Sequence, residues 1–283
     1  NSTYIDIISP ANINNIDKED LVILITPTLF KDIVMQLKKL QVQYIFNYMC
    51  IETYEETSIN SNDLVKEIYW AQIYNSTIVD SKWLFDKSIS PGRWAVGYNF
   101  LYVLYRILND ICPKKILELG LGQSTKLTTQ FIKYHRGKHI VVEHDKLWAN
   151  FFCNGWNNFS PETVIEILPL NQIHKNDKYY YGYRNFNKKF NNEKFELILI
   201  DGPFGGENYS RRDIIDCLPA ILCSDFILLF DDSDRIGEMN TISEIEDILV
   251  NNGIKYFKGV YTGEKDKAVC VLTSKKYKFI CSL

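Results

Sequence analysis

The sequence predicts an α/β fold: a doubly wound, mostly parallel seven-stranded sheet that ends in an antiparallel hairpin, with a small N-terminal α/β module ahead of it. Three observations predict it. From Lys114 onward apolar strands alternate with helical segments to the end of the chain. The first of those strands runs into a bend with two glycines. The last two strands are separated only by Thr262-Gly263-Glu264-Lys265-Asp266, a hairpin-like connection.

The strands of this sheet are expected at 115–119, 139–143, 163–167, 197–201, 226–230, 256–261 and 268–273. The first sixty residues read as strand 4–9, strand 21–26, helix 29–40 and strand 44–48. Leu21-Val22-Ile23-Leu24-Ile25 is apolar without alternation, as in a strand covered on both faces. The turn after it, Thr26-Pro27-Thr28, caps a helix but offers no close backbone approach to a diphosphate, so 1–60 is read as an accessory or dimerisation module. Residues 61–110 are expected as a helical linker, with Phe100, Leu101, Leu104, Tyr105 and Leu108 at helical spacing. The segment Ser90-Pro91-Gly92-Arg93-Trp94-Ala95-Val96-Gly97 is either a connecting turn or a flap over the active site that brings Arg93 to a substrate. Residues 111–283 form the main domain.

The bulk properties of the 283 residues exclude several classes. Net charge is −3 with a pI near 5.9, which gives no basic field to hold a nucleic-acid backbone. The seven cysteines show no CxxC spacing and several lie in apolar runs, as expected of free thiols in a reducing cytoplasm. No apolar run reaches the roughly 18 residues that span a bilayer. The expected location is cytoplasmic.

The chemistry centres on Ile116-Leu117-Glu118-Leu119-Gly120-Leu121-Gly122-Gln123-Ser124-Thr125. An apolar strand ends in a carboxylate, and two glycines let the backbone turn tightly and approach a ligand. About 20 residues on, Ile140-Val141-Val142 ends in Glu143, where a ribose-binding acid belongs. The third glycine of a dinucleotide loop is missing, and Glu118 repels phosphate while suiting an ammonium or sulfonium. Two further strand ends carry acids: Asp201, followed by Gly202-Pro203-Phe204-Gly205-Gly206, and Asp231-Asp232. Three oxygen donors suit a hard divalent cation; the alternative is that one or two of them cap helices or turns.

On these motifs the segment from about Pro113 to Thr273 resembles the class I S-adenosylmethionine (SAM)-dependent methyltransferases, whose domain is Rossmann-like. The resemblance implies that Glu118, Gly120, Gly122, Ser124, Glu143, His144 and Asp201 contact SAM, with Asp201 and His144 as catalytic candidates. Asp201, Asp231 and Asp232 resemble the magnesium triad of catechol O-methyltransferase-like enzymes, with Asp232 in place of the family's Asn. Asp201-Gly202-Pro203 followed by Tyr209-Ser210-Arg211-Arg212 is similar to sugar and polysaccharide methyltransferases. There Arg211 or Arg212 would pair with a phosphate or uronate on the substrate, with Tyr209 a further substrate-binding residue; the alternative for either arginine is the ordinary role of one near a helix start. The expected activity is O-methylation of a sugar, glycan precursor or other small hydroxylated molecule, in a homodimer formed through the N-terminal module. The alternatives are an aminopropyltransferase-like enzyme, a non-catalytic module in a glycan-assembly complex, and an NAD-dependent oxidoreductase.

Overall fold

The computed structural model describes residues 22–25, 44–47, 61–92, 95–156, 158–176 and 178–283. The chain divides into two compact units, Asn1–Ile59 and Asn60–Leu283. In the first, β1 (Val22–Ile25) and β2 (Tyr44–Asn47) pair in parallel with Val22 opposite Tyr44. The strand expected at 4–9 and the helix expected at 29–40 lie outside the described residues.

The second unit begins with two helices, α1 (Ser61–Thr77) and α2 (Tyr98–Ile111). Then β3 (Lys115–Leu119), α3 (Gln123–His135), β4 (Lys138–Glu143), α4 (Lys146–Gly155) and β5 (Thr163–Ile167) alternate. A hairpin of β6 (Leu170–Lys175) and β7 (Lys178–Tyr183) and a short α5 (Phe186–Phe190) precede β8 (Phe195–Ile200). The chain closes with β9 (Leu222–Phe230), α6 (Ile236–Asn251), β10 (Phe257–Tyr261) and β11 (Val269–Thr273).

The seven-stranded sheet has the order β10-β11-β9-β8-β3-β4-β5. Strands β5, β4, β3, β8 and β9 are parallel, and β11 and β10 are antiparallel to their neighbours, so the expected architecture is the observed one. The order reverses between β3 and β8: the chain proceeds outward from β3 to β5 on one side and from β8 on the other. Such a switch opens a crevice at the carboxyl ends of the central strands.

Apolar side chains on both faces fix this placement. In β8, Leu197 and Leu199 enter one core with Phe100, Leu104, Leu127 and Phe131, while Ile198 and Ile200 enter the opposite core with Phe190, Phe195, Phe226 and Ile242. A fully buried side chain of this size contributes roughly 1.5–3 kcal/mol, so a one-residue register slip that exchanged the two faces would disrupt both layers.

Two departures from the sequence reading stand out. The segment expected as a linker is part of the sheet unit: Trp70, Tyr74, Phe100, Leu101 and Leu108 are buried in the first core, and Trp83 stacks on Tyr105 at 5.0 Å. The β6–β7 hairpin has no counterpart among the expected strands. Its first strand, Leu-Asn-Gln-Ile-His-Lys, is largely exposed and forms its own two-stranded sheet, so it lacks the apolar run by which the other strands are read.

Candidate active site

The bend after β3 is built on two contacts that only glycine permits. Gly120 has φ +99, and a Cβ there would lie 3.1 Å from the Asp201 carbonyl oxygen; a Cβ on Gly202 would lie 2.9 Å from Gly120 Cα and 2.8 Å from the Tyr183 hydroxyl. The loops leaving β3 and β8 therefore touch backbone to backbone. Beside Gly122 a Cβ would meet nothing within 4 Å, so open space adjoins the bend on that side.

Beneath the first turn of α3 lies Glu118, which is fully buried. Ser124 and Thr125 donate their hydroxyls to Glu118 Oε1 at 2.5 and 3.0 Å, and His139 Nε2 lies 2.8 Å from Oε2. A negative charge already complements the positive end of this helix. Thr125 Oγ1 also accepts from the Gly122 N–H at 3.1 Å. The arrangement disfavours a diphosphate at this turn.

Glu143 ends β4 and is nearly buried. Its Oε2 accepts from the Leu121 N–H at 3.1 Å, and its Oε1 from the His144 and Asp145 N–H groups at 2.7 and 2.8 Å. His144 Nδ1 stands 2.9 Å from the same oxygen. Burial alone would raise this carboxyl; the bonds from His144, Asp145 and Leu121 outweigh it and hold Glu143 below the usual carboxylate range. The His144 ring, 31% exposed, packs edge-on against Phe204 at 5.4 Å, and Phe204 meets Tyr181 at 5.0 Å.

At the ends of β8 and β9, one ligand oxygen each from Asp201, Asp231 and Asp232 come within 4.8 Å of one another. Asp201 keeps 18% of its side chain exposed. Burial pushes its carboxyl well above the ordinary value against the pull of Arg211, and the neighbouring Asp231 and Asp232 push it the same way. Asp231 and Asp232 are buried, and neither oxygen of Asp231 has a hydrogen-bond partner.

The structure also brings cations into this cluster. Arg211 Nη2 lies 3.2 Å from Asp201 Oδ1 and 2.8 Å from Asp232 Oδ2, and Nη1 donates to the Asp231 carbonyl at 3.0 Å. Lys267 Nζ lies 3.1 Å from Asp232 Oδ1 and 3.7 Å from Asp231 Oδ2. Arg235 Nη1 stands 2.9 Å from Asp232 Oδ2. A divalent ion would need carboxylate oxygens at about 2.0–2.6 Å, so it would have to share Asp232 with three side-chain cations. As arranged, the residues do not fit a magnesium ion.

The sequence-derived site residues thus sort into three groups. Gly120, Gly122, Glu143, His144 and Asp201 meet at the carboxyl edge of the sheet. Glu118 and Ser124 are turned inward and satisfy each other. Arg211 and Arg212, expected at a substrate, are buried: Arg212 Nη2 bonds Glu244 at 2.5 Å and its guanidinium lies over Tyr209 and Tyr180. Tyr209 accepts from Asn176 Nδ2 at 3.2 Å. Arg93 lies outside the described residues. Lys267, Glu238 and Tyr183 went unread. Lys267 directly precedes an apolar strand, and a lysine there reads as a solvated strand end until the fold shows what it faces.

With sheet and site together, the second unit is a Rossmann-like α/β fold of the kind expected from the sequence. The sequence matches no protein-family model and no curated protein at a significant level. Among solved structures, it is similar to the O-methyltransferase TomG from Streptomyces achromogenes, in complex with SAM, at 10% identity over 78% of this chain and 99% of that one, with TM-score 0.48. It is also similar to an O-methyltransferase from Bacillus cereus in complex with S-adenosylhomocysteine (SAH), at 11% identity over 75% and 91% of the two chains and TM-score 0.44. For the methyltransferase PaMTH1 from Podospora anserina, bound to SAH, the values are 13%, 79%, 97% and 0.45. These are remote resemblances of chain path, and the chemistry of this site rests on its own residues. Among the described residues no helix is long and apolar enough to cross a membrane.

Proposed function

We propose that this protein is a SAM-dependent O-methyltransferase acting on a small hydroxylated molecule. The observation that carries the reading is the buried carboxylate of Glu118 under the first turn of α3, beside the Gly120–Gly122 bend: it disfavours a diphosphate and leaves a bend suited to a cofactor without one. Glu143 and Asp201 flank that bend on the neighbouring strands.

Bound there, SAM supplies an electrophilic methyl: the acceptor oxygen forms the new C–O bond as the C–S bond breaks, with the electron pair left on sulfur. Gly120 and Gly122 let the backbone approach the cofactor. Glu143 accepts the ribose hydroxyls, in exchange for the half-exposed His144 ring that now occupies its Oε1. The Asp201 carboxylate, paired with Arg211 and given a raised proton affinity by burial, orients the acceptor hydroxyl and takes its proton. His144, at the mouth beside Phe204, is the second proton-accepting candidate.

A sugar or glycan precursor as acceptor draws support from the exposed rings of Phe204 and Tyr179, which offer apolar faces for stacking. Arg211 and Arg212 add none, because their guanidinium groups are engaged within the protein. Magnesium is left out of this reading for the reason given by Arg211 and Lys267. The same cations disfavour an aminopropyltransferase, since they already face the acids that would hold a polyamine. A cytoplasmic location fits six described cysteines that are all free thiols. A homodimer through residues 1–60 rests on the sequence alone.

Calorimetry with SAM, SAH and NAD tests the reading. We expect saturable heat with SAM and SAH and none with NAD. Glu143→Ala should weaken SAH binding with little loss of fold, and Asp201→Asn should lower turnover more than cofactor affinity. Binding of NAD with no response to SAM at millimolar concentration would overturn the assignment, and silence with both would favour a non-catalytic module.

A further inference from the structure

We propose that Arg211 and Lys267 are built-in counter-ions that fill the three-carboxylate site, so that Asp201, Asp231 and Asp232 hold side-chain cations in place of a divalent metal. The inference goes beyond the identity of the transferred group and stands whether or not SAM is the cofactor.

Both oxygens of Asp232 are taken: Oδ2 faces Arg211 at 2.8 Å and Arg235 at 2.9 Å, and Oδ1 faces Lys267 at 3.1 Å. Asp201 Oδ1 faces Arg211 at 3.2 Å. Arg211 Nη2 serves both carboxylates while Nη1 donates to the Asp231 carbonyl, so one guanidinium joins the ends of β8 and β9. Asp231 is the acid a metal would most readily claim, since neither of its oxygens accepts a hydrogen bond. Its counter-charge is the Lys267 ammonium at 3.7 Å.

The two cations are held in place by contacts outside the cluster. Lys267 Nζ donates to the Ala95 carbonyl at 3.1 Å, and the Lys267 carbonyl accepts from Asn99 Nδ2 at 2.6 Å. Arg211 Nε faces Glu238 Oε1 at 3.6 Å, and Ser210 donates to the same oxygen at 2.6 Å. Arg211 and Asp232 both sit in the left-handed region, at φ +51 and +55, a backbone setting that non-glycine residues keep only where the surroundings demand it.

Charge decides between ion and side chain. Even with every acid ionised, Asp201, Asp231, Asp232 and Glu238 against Arg211, Lys267 and Arg235 leave only one net negative charge. A divalent cation would turn that into a net positive charge among buried groups. Without Lys267 the balance becomes two net negative charges, which one divalent cation would neutralise.

Manganese is the probe. With the full chain freed of metal by a chelator, electron paramagnetic resonance should detect no saturable Mn2+ binding up to about 1 mM, and the melting temperature should not respond to the chelator. Lys267→Met, checked for folding by circular dichroism, should take up one Mn2+ per chain at least about tenfold more tightly than the parent, and the double variant Lys267→Met with Asp231→Asn should lose that site. Stoichiometric Mn2+ binding by the unaltered protein that Asp231→Asn abolishes would overturn the proposal, and this arm holds even if Lys267→Met does not fold. A folded Lys267→Met that binds no Mn2+ would overturn it as well. SAH titration of the same samples reports on the cofactor separately, so failure of one reading leaves the other measurable.

Discussion

His139 Nε2 lies 2.8 Å from Glu118 Oε2, and both side chains are wholly buried. The pair joins β4 to β3 under the helix that opens the candidate site, while His139 Nδ1 meets Thr163 Oγ1 of the edge strand β5 at 3.3 Å. One line of polar contacts thus ties three neighbouring strands to the first turn of α3.

Removing one partner leaves the other buried and unsatisfied. We expect His139→Ala, which strips Glu118 Oε2 of its partner, to destabilise the protein by about 1–3 kcal/mol in urea unfolding followed by circular dichroism. Glu118→Gln, which retains an acceptor for Ser124 and Thr125, should cost less than Glu118→Ala. Equal costs for these two would mean that the hydroxyl contacts carry no energy.

Gly120→Ala places a Cβ against the Asp201 carbonyl and forces a side chain into a left-handed backbone. The expected cost is about 1–3 kcal/mol, felt where the two loops touch. SAH affinity measured by calorimetry should fall at least about tenfold, the equivalent of about 1.4 kcal/mol. Unchanged affinity would place the cofactor elsewhere.

The indole of Trp148 donates to the Leu121 carbonyl at 2.8 Å and so ties α4 to the glycine bend. Trp148→Phe removes that hydrogen bond and keeps a smaller aromatic ring in its place. A loss of about 1 kcal/mol should appear as roughly fivefold weaker SAH binding with an unchanged far-ultraviolet spectrum.

Asp213 gives a pH dependence of defined sign. Burial pushes its carboxyl up to about 7, against the opposing hydrogen bond from the Tyr183 N–H, and its Oδ2 has no partner. The unfolded chain releases this proton near 3.9. The folded state holds it more tightly, so the associated stability is full below about pH 4 and is lost as pH rises towards 7. We expect urea midpoints of the native chain to fall across that window, by roughly 2–4 kcal/mol in unfolding free energy. The fall should be much shallower in Asp213→Asn, and parallel profiles would show that Asp213 does not titrate there.

Much of the candidate site around the glycine bend was legible because its determinants are local. Glu118, Gly120 and Gly122 lie in one strand and its turn, and Glu143 ends the next strand, so each side chain's place follows once the strands are recognised. The acidic residues of the second cluster were legible as strand ends for the same reason. The partners of those acids were not. Arg211 sits in a loop and reads as an outward, substrate-facing cation; its left-handed backbone turns it inward. The hairpin of β6 and β7 escaped because its strands are stabilised by their own pairing and by aromatic contacts such as Tyr181 with Phe204, which leave no apolar period in the sequence.

By itself the sequence determined the layered α/β architecture, the placement of the glycine bend and the acids at strand ends, because strand periodicity and backbone freedom are properties of neighbouring residues. Only the tertiary structure decided what those acids face. Lys267 enters from the start of β11 and Arg211 from the loop after β8, and charge compensation in a buried site depends on distances that the order of residues along the chain does not encode.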